Sequence, residues 1–281
     1  MSGIRTTLEN CRHAQAAAAA QYLLARVEGA PVAAGFSGVF PWAQDDPYAW
    51  VDVNVLPAHR SRGLGSELLR RVSARASELG KHGIQLEVRS DDPHSIRFVE
   101  NRGFEEIERE EEVELDLTAL TSPPAVTPPA GIELVTLRDR PDLEREMFEV
   151  DREASADIPG LASTHVDRSF EAWRGFAIER PSRDHDLTFL ALADGHVVGV
   201  AYMENYGDRG IHNLTGVRRE WRGRGVATAL KRAQIAGAHR RGLKALVTES
   251  QHENEPMRTL NLKLGYAPTV ANIVYRGPLP S

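Results

Sequence analysis

The sequence predicts an α/β protein of two tandem domains, each a mixed sheet flanked by helices, with the first domain cut short at its front. Three observations predict it. Sliding the 281-residue chain against itself at an offset of 162 aligns Val55 with Val217, Arg60 with Arg222, Arg62 with Arg224, Gly63 with Gly225, Leu68 with Leu230, Gly80 with Gly242 and Gly103 with Gly265, without a gap. Two copies of this length mean duplicated domains and not a solenoid. Between the copies, Pro123, Pro124, Pro128 and Pro129 can continue neither a helix nor a central strand, so the chain divides into residues 1–118, a Pro-rich linker at 119–131, and residues 132–281. Within each copy, short apolar runs alternate with segments of helical spacing, the pattern of an α/β fold.

The second copy gives its elements in order. "IELVTLRD" reads as a strand, and residues 140–154 and 165–177 as helices. The two apolar runs around Asp194-Gly195 form a hairpin. "IHNLTGV" is a strand, and the Arg-Gly turn leads into a helix with Val226, Leu230, Ala233 and Ala236 on one face and Gly242 as its stop. "LKALVTES" is a strand, Met257, Leu260 and Leu264 mark a helix ending at Gly265, and "YAPTVANIVYRG" returns as a strand. The first copy has the same hairpin at "YLLARVEGAPVAAGFSGVF", preceded by one short Ala-rich helix and no evident strand. "FEEIEREEEVELDL" alternates Val113, Leu115 and Leu117 against Glu112, Glu114 and Asp116, which predicts a half-buried strand whose acidic face is solvated and blocks edge pairing.

Composition narrows the function. A net charge of −6 opposes non-specific nucleic-acid binding, which needs a cationic footprint. No apolar run reaches the roughly 20 residues of a membrane span, and the first residues lack the order of a signal peptide, so the expected location is the cytoplasm, with no membrane partner. The single cysteine, Cys11, excludes an intramolecular disulfide and a Cys-rich metal site; no metal is expected.

The two turns carry the chemistry. A strand that turns into a helix through Gly-x-Gly or Gly-x-Ala leaves amide N–H groups without intrahelical partners at the positive end of the helix dipole. That is an anion cradle, with arginines adding charge nearby. The turns lack the Gly-Lys-Ser/Thr ending of a P-loop and the third glycine of a dinucleotide fingerprint; Leu68 and Leu230 stand near its place.

Strand, Arg-x-x-Gly-x-Gly/Ala, helix, strand, and a helix ending in Gly-Phe or Gly-Tyr resemble the GNAT acyltransferase superfamily, over most of residues 21–117 and again 132–277. The resemblance implies two tandem GNAT-like domains with mixed, mostly antiparallel sheets, and acetyl-CoA as co-substrate. Its pyrophosphate would lie on Arg60, Ser61, Arg62, Gly63, Leu64, Gly65 and Ser66, and on Arg222, Gly223, Arg224, Gly225, Val226, Ala227 and Thr228, with Val55 and Val217 on the pantetheine side. Asn254 and Asn261 complete the expected cofactor contacts of the second domain.

The family commonly has a tyrosine four residues before the Gly-Phe pair, where its hydroxyl protonates the departing thiolate. Here those positions are Val99 and Asn261. The second domain keeps a polar line, Thr248, Ser250, Asn254 and Asn261, where the first has Leu86, Val88, Asp92 and Val99. Catalysis is therefore expected in the second domain, with Asn261, Glu249 and His212 as catalytic candidates and Glu204 as a further candidate base near a strand end; strand alternation lets only one of His212 and Asn213 face the cleft. Tyr266 reads as packing. The expected reaction moves an acetyl group from acetyl-CoA to an amine of a small molecule or peptide. Aminoglycosides, polyamines and peptide N-termini are compatible acceptors, and the tandem arrangement suggests mycothiol-type biosynthesis. The alternative is a non-catalytic CoA-binding sensor or scaffold. The sequence leaves open a monomer with pseudo-dimeric domains and a homodimer.

Overall fold

The computed structural model describes residues 20–39, 46–158, 169–251 and 254–279. The Ala-rich helix expected ahead of the first hairpin, and the start of the helix expected at 165–177, lie outside them. The chain forms two compact units, the first drawing on Met1–Arg109 and Val270–Ser281, the second on Glu110–Ser163 and Arg168–Thr269.

In the first unit, β1 (Gln21–Val27) and β2 (Ala30–Gly38) form the hairpin, followed by β3 (Tyr48–Val55), α1 (Leu64–Glu78), β4 (Gly83–Arg89) and α2 (Pro93–Glu100). β1, β2 and β3 are antiparallel neighbours, β3 and β4 run parallel, and residues 272–278 of β11 (Ala267–Pro278) close the sheet antiparallel to β4. Leu69, Val72 and Ala76 of α1 pack on Ala49, Val51, Ile84, Leu86 and Tyr275. Each large side chain taken out of water there contributes about 1.5–3 kcal/mol.

In the second unit the order is β6 (Ile132–Thr136), α3 (Glu144–Ser155), α4 (Phe170–Ala177), β7 (Phe189–Ala193), β8 (His196–Asn205), β9 (Arg209–Val217), α5 (Val226–Arg240), β10 (Ala245–Gln251) and α6 (Glu255–Lys263). β6 to β9 pair antiparallel in sequence order, β9 pairs parallel with β10, and residues 110–116 of β5 (Glu105–Asp116) close the sheet antiparallel to β10. The mixed, mostly antiparallel sheet matches the sequence expectation. Its two faces are distinct. Val200 and Tyr202 pack with Met147 and Val150 of α3 and Ala177 of α4; Ala201 packs with Leu230 of α5, and Met203 with Ile235 further along that helix.

The acidic run requires a correction. Val113 and Leu115 are buried as the alternation requires, but the strand does not block pairing, since Glu110 to Asp116 are fully laddered with β10. The glutamates find cations and hydroxyls instead: Arg258 Nε donates to Glu111 at 2.9 Å, Arg209 meets Glu114 at 2.7 Å, and Thr269 Oγ1 donates to Glu112 Oε1 at 2.6 Å.

Candidate active site

Both turns adopt one geometry. Each strand ends in a short 3-10 turn, Pro57–His59 or Arg219–Trp221, and the loop then enters its helix at Gly63 (φ 82°) or Gly225 (φ 86°) with no side-chain cap. A left-handed φ suits glycine, which has no Cβ to clash. The uncapped amides are therefore free to meet an anion. Arg60 and Arg222 pin the loops to their own strands: Nε of Arg60 donates to the Val55 carbonyl at 3.2 Å, and Nε of Arg222 to the Val217 carbonyl at 2.9 Å. Arg60 also meets Asp92 at 3.1 Å, and Arg222 meets Asp157 at 2.7 Å. Arg219 and Arg222 hold the Asp157 carboxyl down at about 2.

Around these turns, Val226 is buried, Leu64, Gly65, Ala227 and Thr228 are half-buried, and Ser61, Arg62, Gly223 and Arg224 are exposed. Arg224 lies over the Trp221 ring at 4.9 Å from its centroid. Ser66 Oγ accepts from Arg102 at 2.8 Å. Ser61 holds a φ of 58° where the second turn has Gly223 at 73°.

Between the strands, both parallel pairs part. In the second unit β9 and β10 are paired only over Arg209–Ile211 and Ala245–Val247, leaving the rest of each strand splayed. In the first, β3 and β4 are paired only from Tyr48 to Trp50 and Gly83 to Gln85. The two splays differ first in register. β2 and β3 keep an unbroken register, whereas the β8–β9 register shifts between Ala201 and Met203, so Asn213 and Leu214 share the place opposite Tyr202. That is a bulge, which re-aims side chains and frees backbone groups from the ladder.

The buried residues at corresponding positions of the two units differ as well. Leu86, Val88 and Val99 are buried and apolar in the first unit. In the second, Thr248, Ser250 and Asn261 are buried, and Ser250 Oγ, Thr215 Oγ1 and both amide atoms of Asn261 have no hydrogen-bond partner. A buried polar atom left without a partner costs about 1–3 kcal/mol, a cost the apolar set of the first unit does not carry. Asn254 caps α6, accepting from Met257 N at 3.4 Å. Glu249 is exposed, on the opposite side of β10 from Thr248 and Ser250.

His212 is enclosed. Gln234 Nε2 donates to the carbonyls of Leu187 and Ala201, both at 3.1 Å, so its Oε1 must accept from His212 Nδ1 at 2.8 Å. That fixes the tautomer, and Nε2 accepts from the Tyr266 hydroxyl. Burial first, and then the charge of Lys231, hold the His212 imidazole well below its ordinary range; burial alone takes Lys231 down to about 7. His212 is therefore held in the interior, and Tyr266, which the sequence reads as packing, is buried beside it in the cluster of Leu115, Ile235 and Leu246. Asn213 takes the other face, exposed, as strand alternation requires.

On that face lies Glu204, a candidate base from the sequence, together with Arg180, Ser182 and Arg183, which the sequence does not mark. Glu204 is buried beside Arg180 at 2.9 Å and accepts from Ser182 Oγ at 3.0 Å and from the Tyr206 hydroxyl. Against the upward push of burial, Arg180 and Arg183 hold its carboxyl below the ordinary value. Arg183, itself lowered to about 10 by burial, donates to the Ala177 carbonyl at 2.6 Å and to Asn213 Oδ1 at 2.8 Å. Among the described residues no group of His, Cys, Asp and Glu could hold a metal ion, and no helix is long and apolar enough to cross a membrane.

Two similar turns at helix starts, each beside a splayed parallel pair in a mixed sheet, define a class. The chain belongs to the Acetyltransferase (GNAT) family, whose profile matches residues 5–104 and again 146–266. Among relatives, it is 27% identical to the mycothiol acetyltransferase of Catenulispora acidiphila over 83% of this chain and 73% of that one, and 27% identical to that of Thermobispora bispora over 91% and 88%. Among solved structures, a tandem GNAT protein from the clavulanic acid biosynthesis pathway superposes with a TM-score of 0.74 at 22% identity, covering 94% of this chain and 84% of that one. A GCN5-related N-acetyltransferase from Sphaerobacter thermophilus gives 0.69 at 24%, covering 93% and 81%. These likenesses support the tandem fold.

Proposed function

We propose that this protein transfers an acetyl group from acetyl-CoA to an amine, and that the second unit does the chemistry while the first binds CoA passively or supports the fold. The observation that carries the reading is the contrast at corresponding positions: among the described residues, Thr248, Ser250 and Asn261 stand in the second unit, with Ser250 Oγ and both Asn261 amide atoms unpartnered, where the first has Leu86, Val88 and Val99. The amides at the start of α5, from Val226 onward, would hold the pyrophosphate, with Gly223 and Gly225 keeping side chains out of its way. Arg222 shapes the loop from behind, through Val217.

The amine attacks the thioester carbonyl as a free base, the C–S bond breaks, and the thiolate takes up a proton. Backbone N–H groups at the bulge of Asn213 and Leu214 would meet the oxygen that gains charge. Asn261 stands where the family tyrosine would and presents an amide N–H without a useful acid, so the proton for the thiolate comes through water. Glu249, on the exposed side of β10, is the group that can draw the proton from the incoming amine through solvent. The mycothiol acetyltransferase relatives support a mycothiol-type amine as acceptor. A cytoplasmic small-molecule or peptide amine fits the net acidic chain.

Release of CoA thiol from acetyl-CoA with a panel of amines, including glucosamine, spermidine, kanamycin and a tripeptide, tests the reading. Amine-dependent release supports it. Acetyl-CoA binding by calorimetry with no release for any amine would instead favour the sensor or scaffold.

A further inference from the structure

We infer that Asn213 is a hydrogen-bond donor to an oxygen of the acceptor substrate, held in its donating orientation by the positioning residue Arg183. The inference rests on the acyltransferase reading above and deepens it: the acceptor is an amine that carries a hydroxyl, carbonyl or carboxylate oxygen near the reacting nitrogen.

Orientation comes first. A guanidinium has donors and no acceptor, so only the oxygen of the Asn213 amide can face Arg183, and at 2.8 Å it does. The Nδ2 hydrogens are thereby turned away from the arginine, on a residue that is exposed. Arg183 cannot drift to another rotamer. Its side chain is 1% exposed, and it is bonded to the Ala177 carbonyl at 2.6 Å while Glu204 lies 3.8 Å from its other nitrogen. Glu204 is fixed in turn by Ser182, Tyr206 and Arg180.

Location comes second. Asn213 lies in the β9 bulge, two residues past the point where β9 and β10 part. Its neighbour His212 turns to Gln234 of α5, the helix whose start forms the anion turn, so Asn213 faces the side of α3 and α4. Anion turn and Asn213 thus serve opposite faces of one opening, as a two-substrate transfer needs. A donor locked before substrate arrives spends little entropy on binding.

The decisive variant is Asn213→Asp. An aspartate keeps an acceptor oxygen for Arg183, and so keeps the local packing, but has no hydrogens to give. With the amine of the panel that wild type turns over fastest, the acceptor KM should rise tenfold or more while acetyl-CoA affinity by calorimetry stays unchanged. Arg183→Lys preserves charge but not the fork, and should raise the acceptor KM several-fold in wild type yet add nothing on the Asn213→Ala background. An unchanged acceptor KM in Asn213→Asp overturns the proposal, as does a full multiplicative loss in the double variant. If wild type turns over no amine, the acyltransferase reading itself fails and takes this proposal with it; if wild type is active and Asn213→Asp matches it, this proposal alone falls.

Discussion

The splay of β3 and β4 and the splay of β9 and β10 descend from one duplicated unit, yet only their turns have stayed alike. Both loops enter a helix through a left-handed glycine, and both are pinned by an arginine to the last carbonyl of the preceding strand. Beyond the turn they diverge. The first splay has a straight register and buries Leu86, Val88 and Val99; the second has a bulge and buries Thr248, Ser250 and Asn261. The difference teaches that an anion cradle and a reaction site are separable. A cradle needs only backbone, so it survives wherever the loop folds, whereas a reaction site must keep polar groups that weaken its own core.

The largest effect should come from breaking the two turns unequally. Gly225→Glu places a carboxylate where the pyrophosphate of acetyl-CoA would lie and should reduce CoA-thiol release at least a hundredfold, while Gly63→Glu leaves most of it. Both glycines hold a left-handed φ, so backbone strain accompanies either change. Gly225→Asn, which tolerates that region, separates strain from charge and should retain most binding by calorimetry. A dead Gly63→Glu beside an active Gly225→Glu would place the chemistry in the first unit.

Exchanging the linings should come next. Asn261→Leu removes two unpartnered amide atoms from a fully buried site. It should raise unfolding free energy by about 1–3 kcal/mol while lowering turnover. The reciprocal Val99→Asn should cost a similar amount and gain no activity. Denaturant melts of both variants, with turnover measured alongside, check the pair; a destabilised Asn261→Leu would mean that the amide is already satisfied.

What the sequence made legible, and what it did not, follows the same division. Turn and helix start were readable because glycine spacing is a local backbone demand, visible at Gly63 and Gly225. Asn261 was readable as a departure from the family pattern. The bulge at Asn213 and Leu214 was not, since a bulge is a property of two paired strands and leaves no local mark. Nor was the closing of each sheet by β11 or β5, because a repeat fixes the order of strands along the chain and not the sheet each one joins. The acidic alternation of β5 suggests a strand that blocks edge pairing, though β10, distant in the sequence, pairs with it from Glu110 to Asp116. Arg183 acts through Asn213, thirty residues away, and no spacing rule reaches that far.

Lys231 gives a smaller and pH-dependent contrast. Its position on α5 corresponds to Leu69 on α1, and burial holds its amine at about 7 against an ordinary 10.5. The folded state then binds fewer protons than the unfolded chain between those values, so stability rises as pH increases from about 7 to 10.5. Below that window both states are protonated, and the penalty, on the order of a few kcal/mol, is fully present. Lys231→Met should remove the slope and stabilise most at pH 6.5. Urea melts at pH 6.5 and 9 decide it; a variant with the wild-type slope would show that another group carries the dependence.

The smallest effect should appear in the first turn, at the one place where the copied loops differ in backbone chemistry. Ser61 holds a φ of 58° where Gly223 occupies the second turn at 73°. A left-handed residue with a Cβ costs roughly 1–2 kcal/mol, and replacing it by glycine gives back part of that, because the unfolded chain gains freedom worth about 0.4–1 kcal/mol. Ser61→Gly should therefore stabilise by less than about 1 kcal/mol. Gly223→Ser should destabilise by a similar amount. The two variants also sharpen the comparison of function: both keep the loop's shape, so Ser61→Gly should leave turnover at the wild-type value, while Gly223→Ser brings a side chain to the rim of the second turn and should weaken acetyl-CoA binding a few-fold. Calorimetric titration on both gives the decision. Equal affinity losses in the two variants would mean that the loops contribute alike to the CoA site, and the assignment of chemistry to the second unit would then rest on its lining alone.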